Sequence, residues 1–281
     1  MKDLSNENVI HIKKNGIEYL QFRRLLEYKD IINHAYSLGL DKDYRTARAK
    51  EKPQLPEEEY NKSLSNYKQL CEELKINYIN IVKPNQNHTK NVLKVEEKIN
   101  SNAPDFNLKQ YDDTDGLVTK NNKIVLATTN ADCILLLFFD PIKKVIANVH
   151  SGWKGTLQRI SVEAVNKMKN EYNCKLEDLI CCICPSIRKC HFEVREDVQK
   201  PYYEEFKNLQ QIDKLIKKIP NTDKWKIDTV EINKMILIEA GLKPENIIDS
   251  GICSVCNSDV MHSYRVEKEK YGLNTALIEM K

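Results

Sequence analysis

The chain has 281 residues, 41% of them hydrophobic and 30% charged, with a formal net charge of +3. That length and balance describe a folded chain with a sizeable core and exclude a disordered polyelectrolyte. The small net charge, with lysines interleaved among glutamates, offers no electrostatic grip on nucleic acid, and the longest apolar run, Ile134 to Phe139, is too short to cross a bilayer.

The polar N-terminus MKDLSNENVIHIKKNG lacks the apolar core of a signal peptide, so a cytoplasmic location is expected. Residues 9–27 read as short strands about an Asn15-Gly16 hairpin turn, and DIINHAYSLGL continues as a strand. Residues 41–62 are charged, carry two prolines and lack apolar periodicity, which predicts a mobile surface loop. Leu64, Tyr67, Leu70, Cys71 and Leu74 then recur at helical spacing. YINIVKPNQNHTKNVLKV reads as two strands broken at Pro84, with His88 in the connection.

A loop-rich stretch follows, ending in acidic DDTDG and a strand. NKIVLATT, CILLLFFD and KKVIANVHSG read as three further strands, with Asp140-Pro141 as a turn. After SGWKG a helix is expected, capped by Thr156, with Leu157, Ile160, Ala164 and Met168 on one face. DLICCICPSI and HFEVRED read as strands, and 197–217 as a polar helix. Asp228 and Glu231 form a capping box for the helix TVEINKMILIEAGL, with Gly241 as its terminator. NIIDSGICS and NTALIEM close the chain as strands, and Tyr264 and Arg265 read as part of a further strand, either lining a pocket or pairing across a sheet. Strands and helices without strict alternation predict a single α/β or α+β domain, residues 1–281, with mixed sheets.

The chemistry concentrates in TTNADCILLLFFDPIKKVIANVHSGWKGT. Cys133 heads one apolar run, His150 ends the next, and His88 lies upstream. A thiolate and imidazoles at the edges of buried strands are donors for zinc, and three donors without an evident fourth leave an open position, which suits catalysis better than scaffolding. Taken singly, each has an ordinary reading as a strand-end histidine or a small apolar cysteine. None of the spacings is a tight metal motif, so the fold has to assemble the set.

Asp132, beside Cys133, is either an orienting or proton-carrying carboxylate or a plain turn aspartate. Gly152 and Gly155 bare the backbone before a helix, where Lys154 could help to hold an anion such as phosphate; the other reading is a tight strand-to-helix turn. Nine cysteines, an odd count in a chain expected to be cytoplasmic, do not read as a disulfide framework. Cys181 or Cys184 with the Cys253/Cys256 pair could form a second, structural zinc site; buried reduced thiols are the other reading.

Several ordered motifs carry a resemblance: DDTDGLVT at 112–119, TTNADC at 128–133, HSGWKG at 150–155, ICPSIRKCHFEV at 183–194, HSYR at 262–265, and QNH at 86–88. Together they closely resemble the laccase-domain family, also called multicopper polyphenol oxidase-like and read as zinc-dependent purine nucleoside phosphorylases with adenosine deaminase activity. The resemblance implies a layered α-β-β-α sandwich with mixed sheets, and His88, Cys133 and His150 as metal ligands. It implies phosphate-dependent cleavage of adenosine, inosine, guanosine and methylthioadenosine to free base and ribose 1-phosphate, and deamination of adenosine. Asp132 and Cys133 are then the expected catalytic residues, and Ser37, Arg45 and Lys154 the expected substrate contacts.

The chain also departs from the family pattern. HAYSLGLDKDYRT keeps Ser37 but lacks the usual arginine and paired glycines, with Arg45 as a displaced cation; Lys154 stands for an arginine, and Leu273 for another. These departures bear on substrate range more than on the metal. The alternatives are an amidohydrolase that edits peptidoglycan precursors, a degenerate member that only binds a partner, and a copper polyphenol oxidase. The last needs many histidines, and the chain has 6.

Overall fold

The computed structural model describes residues 2–47 and 55–281. Its strands are β1 (Val9–Lys14), β2 (Ile17–Phe22), β3 (Ile32–Leu38), β4 (Ile81–Val82), β5 (Val92–Lys94), β6 (Gly116–Thr119), β7 (Val125–Asn130), β8 (Ile134–Asp140), β9 (Val145–Ser151), β10 (Ile180–Ile183), β11 (Glu193–Val194), β12 (Ile216–Lys218), β13 (Trp225–Ile227), β14 (Ile247–Asp249) and β15 (Asn274–Met280). One sheet runs β1-β2-β3-β15-β7-β4, a second β14-β10-β8-β9-β6-β5, and a small third β11-β13-β12. Both large sheets are mixed: β4–β7, β5–β6 and β10–β14 are parallel and the other pairs antiparallel.

The helices are α1 (Arg23–Leu26), α2 (Glu57–Leu74), α3 (Trp153–Leu157), α4 (Ile160–Tyr172), α5 (Glu196–Phe206), α6 (Ile212–Leu215), α7 (Thr229–Ala240) and α8 (Tyr264–Glu267). The expected layering is present. Helix α2 lays Tyr67, Leu70, Cys71 and Leu74 on the outer face of the first sheet, against Tyr19, Ala35, Ala127 and Leu277. Helices α4 and α7 cover the outer face of the second.

Strand β8 shows why its sequence is apolar throughout. Leu135, Leu137 and Phe139 point between the two sheets, while Ile134, Leu136 and Phe138 face the helices, so both faces of the strand are buried. Each such side chain contributes about 1.5–3 kcal/mol. Asn148 is one of the buried polar residues between the sheets, and it donates to Leu126 O at 3.0 Å and Ala276 O at 2.8 Å and accepts the Thr128 hydroxyl. One amide on β9 thereby ties the second sheet to β7 and β15 of the first.

Several expectations are corrected. The loop expected over 41–62 gives way to helix at Glu57, where Glu57, Glu58 and Glu59 sit at the positive end of the helix dipole; the residues 48–54 within it lie outside those described. The Asp228 cap and the Gly241 terminator are formed as expected. Thr156 caps nothing: α3 already begins at Trp153, and the Thr156 hydroxyl instead pairs with Ser151 at 2.9 Å and accepts Asn233 Nδ2 at 3.0 Å. The polar helix expected over 197–217 splits into α5, α6 and the start of β12, and Tyr264 and Arg265 begin a short helix instead of sitting in a strand.

Candidate metal centre

The β8–β9 ladder pairs Ile134 with Ser151 and Leu135 with His150, which sets Cys133, just before β8, beside the end of β9. His88 arrives from the connection between β4 and β5 with a left-handed backbone, φ +60°. Asp132, at φ +84°, carries the same strain next to Cys133. Such conformations cost free energy in a non-glycine residue and persist only where surrounding contacts enforce them.

Those contacts are identifiable. The Asp115 carboxylate accepts the backbone N–H of His88 at 3.0 Å, of Thr89 at 2.7 Å and of Asn87 at 3.2 Å, and the Thr89 hydroxyl at 2.8 Å. Gln86 holds the start of the same loop, accepting Thr129 N–H at 2.8 Å and donating to Thr129 O at 2.7 Å. At Cys133, the carbonyl accepts Asn130 Nδ2 at 2.5 Å. Asp132 Oδ1 accepts the hydroxyls of Ser254 at 2.6 Å and Ser263 at 2.7 Å, and Oδ2 accepts Arg265 N–H at 2.6 Å.

His88, Cys133 and His150 converge, their donor atoms lying within 4.8 Å of one another. Cys133 Sγ is 3.8 Å from His88 Nε2, and the two rings meet edge to face at 5.0 Å. His150 is buried, and its Nδ1 lies 2.7 Å from Asp115 Oδ1. With Nδ1–H donated to that carboxylate, Nε2 is the atom left for an ion. Gly152 makes the approach possible, since a Cβ there would stand 2.4 Å from His88 Cδ2 and 3.3 Å from Cys133 Sγ.

The electrostatics favour a cation. Burial works against the Cys133 thiolate, but the His150 charge and hydrogen bonds from His150 and His88 outweigh it and bring the thiol down to about 6. Burial likewise opposes a charged His150, yet Cys133 and Asp115 hold it up at about 10. Asp115 is pressed upward by burial and pulled down more strongly, to about 2, by His150 and Thr89. A thiolate and two imidazole nitrogens, one backed by a carboxylate, suit a divalent ion of intermediate softness, whose binding displaces the His150 proton.

The cluster opens on a cavity of about 1110 Å³. Trp153, Phe192, Tyr264 and Tyr271 give it aromatic walls, and Lys83, Arg45 and Arg265 give it positive charge. Tyr264 and Tyr271 meet edge to face at 5.1 Å. Burial pushes the Lys83 amine down to about 8, and Lys83 has no ion pair among the described residues.

Of the expected site residues, Asp132, Cys133, His88, His150 and Arg45 line this cavity. The Arg45 guanidinium is bound to Asp43 at 2.9 Å and to Tyr271 O. Ser37 and Lys154 do not line it. Ser37 is buried within the first sheet, where its hydroxyl accepts Thr275 N–H at 2.8 Å, and Lys154 is exposed on α3 over the Trp153 ring. Asp115 and Lys83 were not singled out in the sequence. The acidic DDTDG turn was the available signal for Asp115; nothing local marks Lys83.

In comparisons with known proteins, the family model described as multi-copper polyphenol oxidoreductase laccase matches residues 57–281. The human protein named purine nucleoside phosphorylase LACC1 is 32% identical over 177 residues, 62% of this chain and 40% of that protein. Purine nucleoside phosphorylase YlmD of Bacillus subtilis is 30% identical over 168 residues, 60% of this chain and 59% of its own, so both matches span less than two thirds of the relative. Adenosine deaminase RL5, from an unknown prokaryotic organism, is 28% identical over 206 residues, 73% of this chain and 76% of its own.

The fold matches the crystal structure of the Bacillus licheniformis hypothetical protein YfiH with TM-score 0.78 at 22% identity, covering 95% of this chain and all 100% of the other. YlmD of Geobacillus stearothermophilus follows with TM-score 0.76 at 19% identity, covering 97% and 99%. The family match begins at the first residue of α2 and takes in all three residues of the converged cluster. By that match, the chain belongs to the multi-copper polyphenol oxidoreductase laccase family.

Proposed function

We propose that the protein is a zinc-dependent purine nucleoside phosphorylase that also deaminates adenosine. The observation that carries this reading is the convergence of His88, Cys133 and His150 on the wall of a large cavity with aromatic and cationic lining. The relatives named purine nucleoside phosphorylase and adenosine deaminase support the same class of chemistry.

Phosphorolysis breaks the bond between the base nitrogen and the anomeric carbon and forms a carbon–oxygen bond to phosphate, while the departing base takes up a proton. Deamination replaces the amine of adenosine with oxygen from water and releases ammonia. The aromatic walls suit a purine, and the Lys83 and Arg265 cations suit phosphate. In this reading His88, Cys133 and His150 hold the ion, with Asp115 fixing the His150 tautomer. A zinc ion held by these three residues would supply Lewis acidity beside the cavity. Asp132 Oδ1 is occupied by two hydroxyls, whereas Oδ2 accepts a single N–H and keeps a lone pair for a substrate proton. Arg45, tethered at the cavity wall, positions Tyr271.

A multicopper oxidase is a poorer fit. His11, His34, His191 and His262 all lie outside the cluster, which gathers one ion's worth of ligands. The test is incubation of metal-replete protein with phosphate and, in turn, inosine, guanosine, adenosine and methylthioadenosine. Free base and ribose 1-phosphate are expected, with inosine forming from adenosine without phosphate. No turnover of any of the four would overturn the reading.

A further inference from the structure

A second cluster is made of residues that do not line the cavity. Cys190 and His191 come from the turn after β10, and Cys253 and Cys256 from the segment after β14. The two segments are joined by a bridge between Ser186 and Cys253. Cys190 Sγ is 3.6 Å from Cys253 Sγ and 3.9 Å from Cys256 Sγ. His191 Nδ1 lies 3.2, 3.7 and 3.5 Å from the sulfurs of Cys190, Cys253 and Cys256.

A tetrahedral zinc with Zn–S near ~2.3 Å and Zn–N near ~2.05 Å spaces its sulfurs about 3.8 Å apart and a sulfur and a nitrogen about 3.5 Å apart. The two sulfur–sulfur separations from Cys190, 3.6 and 3.9 Å, and the three sulfur–nitrogen separations, 3.2 to 3.7 Å, lie close to those spacings. Of the two readings the sequence left open for Cys181 and Cys184, buried thiols are what the structure has: both are fully buried in the core around β10.

We infer that Cys190, His191, Cys253 and Cys256 form a second zinc site, closed and structural, that locks the wall of the cavity. Three thiolates and one imidazole complete a tetrahedral shell and leave no position for substrate. Sulfur-rich tetrahedral donation selects zinc over magnesium or calcium. The site's effect reaches the first cluster by a short covalent and hydrogen-bonded route. Cys253 precedes Ser254, whose hydroxyl binds Asp132, and Asp132 precedes Cys133. The same strap continues through Ser263 and Arg265 to the cavity wall.

The test measures zinc per chain by mass spectrometry of full-length protein purified under reducing conditions. The wild type is expected to hold about two equivalents, and both the His88→Ala/His150→Ala and the Cys253→Ser/Cys256→Ser variants about one. Should the cavity ion be absent altogether, the wild type and His88→Ala/His150→Ala would each hold the same single equivalent, which separates failure of the proposed function from failure of this site. Cobalt titration of the His88→Ala/His150→Ala chain is expected to give intense thiolate-to-cobalt absorption with tetrahedral d–d bands. It needs no cysteine substitution and so remains decisive if that variant misfolds. Absence of those bands, zinc content unchanged by Cys253→Ser/Cys256→Ser, or a Cys190–Cys253 disulfide in the reduced preparation would each overturn the inference.

Discussion

Asp115 grips His150 by its ring and His88 by its backbone: one carboxylate oxygen lies 2.7 Å from His150 Nδ1 and 3.0 Å from the His88 amide nitrogen. A single buried side chain just before β6 thus fixes both histidines of the cluster, one by tautomer and one by loop conformation. Asp115→Asn keeps the shape but replaces one acceptor oxygen with a donor. Metal affinity is expected to fall about 10–100-fold. Competition against a chromogenic chelator measures it, and unchanged affinity would show that Asp115 only shapes the loop.

Gly152 tests the geometry without touching a ligand. A methyl there would overlap the His88 ring at 2.4 Å, while Gly155 next along the helix has its nearest neighbour at 3.2 Å. Gly152→Ala should therefore lose the cavity ion about as completely as His88→Ala does, with circular dichroism unchanged. Gly155→Ala should keep it. Equal zinc content in wild type and Gly152→Ala would mean that His88 can move aside and still bind.

Lys83 separates the two proposed reactions. Its amine is buried at the cavity wall, without an ion pair among the described residues, and only phosphorolysis brings a phosphate anion. A charge-assisted hydrogen bond is worth about 1.5–3 kcal/mol, so Lys83→Met should lower kcat/KM for phosphate about 10–100-fold. Deamination of adenosine should change less than threefold (a few tenths of a kcal/mol). Steady-state assays of both reactions on one preparation decide it, and parallel losses would place Lys83 in the scaffold.

The sequence made the centre of the molecule legible and its rim less so. Strand β8 was readable because a strand covered on both faces is apolar along nearly its whole length, and α7 because its cap and terminator are local signals. Cys133, His150 and His88 stood out by residue type at strand edges, although their meeting depends on a ladder register that no spacing reveals. Ser37 was expected from the resemblance alone, and no local signal in the sequence shows that its hydroxyl accepts the Thr275 amide. Asp115 was hidden in an acidic turn whose partners lie 26 to 35 residues away in sequence. The second cysteine cluster was half visible: the Cys253/Cys256 pair was evident, but its partners were set by the path of the chain beyond β10.

Asn148 is expected to be the polar residue on which the two-sheet core depends most. Truncating it to Ala removes the two hydrogen bonds it donates to Leu126 O and Ala276 O and leaves the Thr128 hydroxyl without this acceptor. The loss should be about 2–3 kcal/mol, read as a lower urea midpoint with an unchanged m-value. A stability loss confined to a few tenths would mean that water or a rearranged Thr128 replaces the amide.

Glu279 gives the fold a pH dependence of its own, distant from either cluster. On β15, beside Leu277 of the layer under α2, it is partly buried with no hydrogen bond to its carboxyl among the described residues, and burial pushes it up to about 7 against a smaller downward pull from Lys281. The folded chain therefore holds a proton that the unfolded chain, near the ordinary glutamate value of 4.5, has already released. Stability supplied by the protonated form is complete below about pH 4.5, declines as pH rises, and is gone above about 7, because the charged carboxylate is then buried in the native state. Glu279→Gln fixes the neutral form. It should match the wild type near pH 4.5 and exceed it at pH 8 by on the order of 2 kcal/mol, allowing for solvent screening. Urea denaturation of both proteins across that range isolates the effect, since every other titrating group is common to the two. A difference that stays constant with pH would show that Glu279 ionises normally and that the gain comes from packing alone.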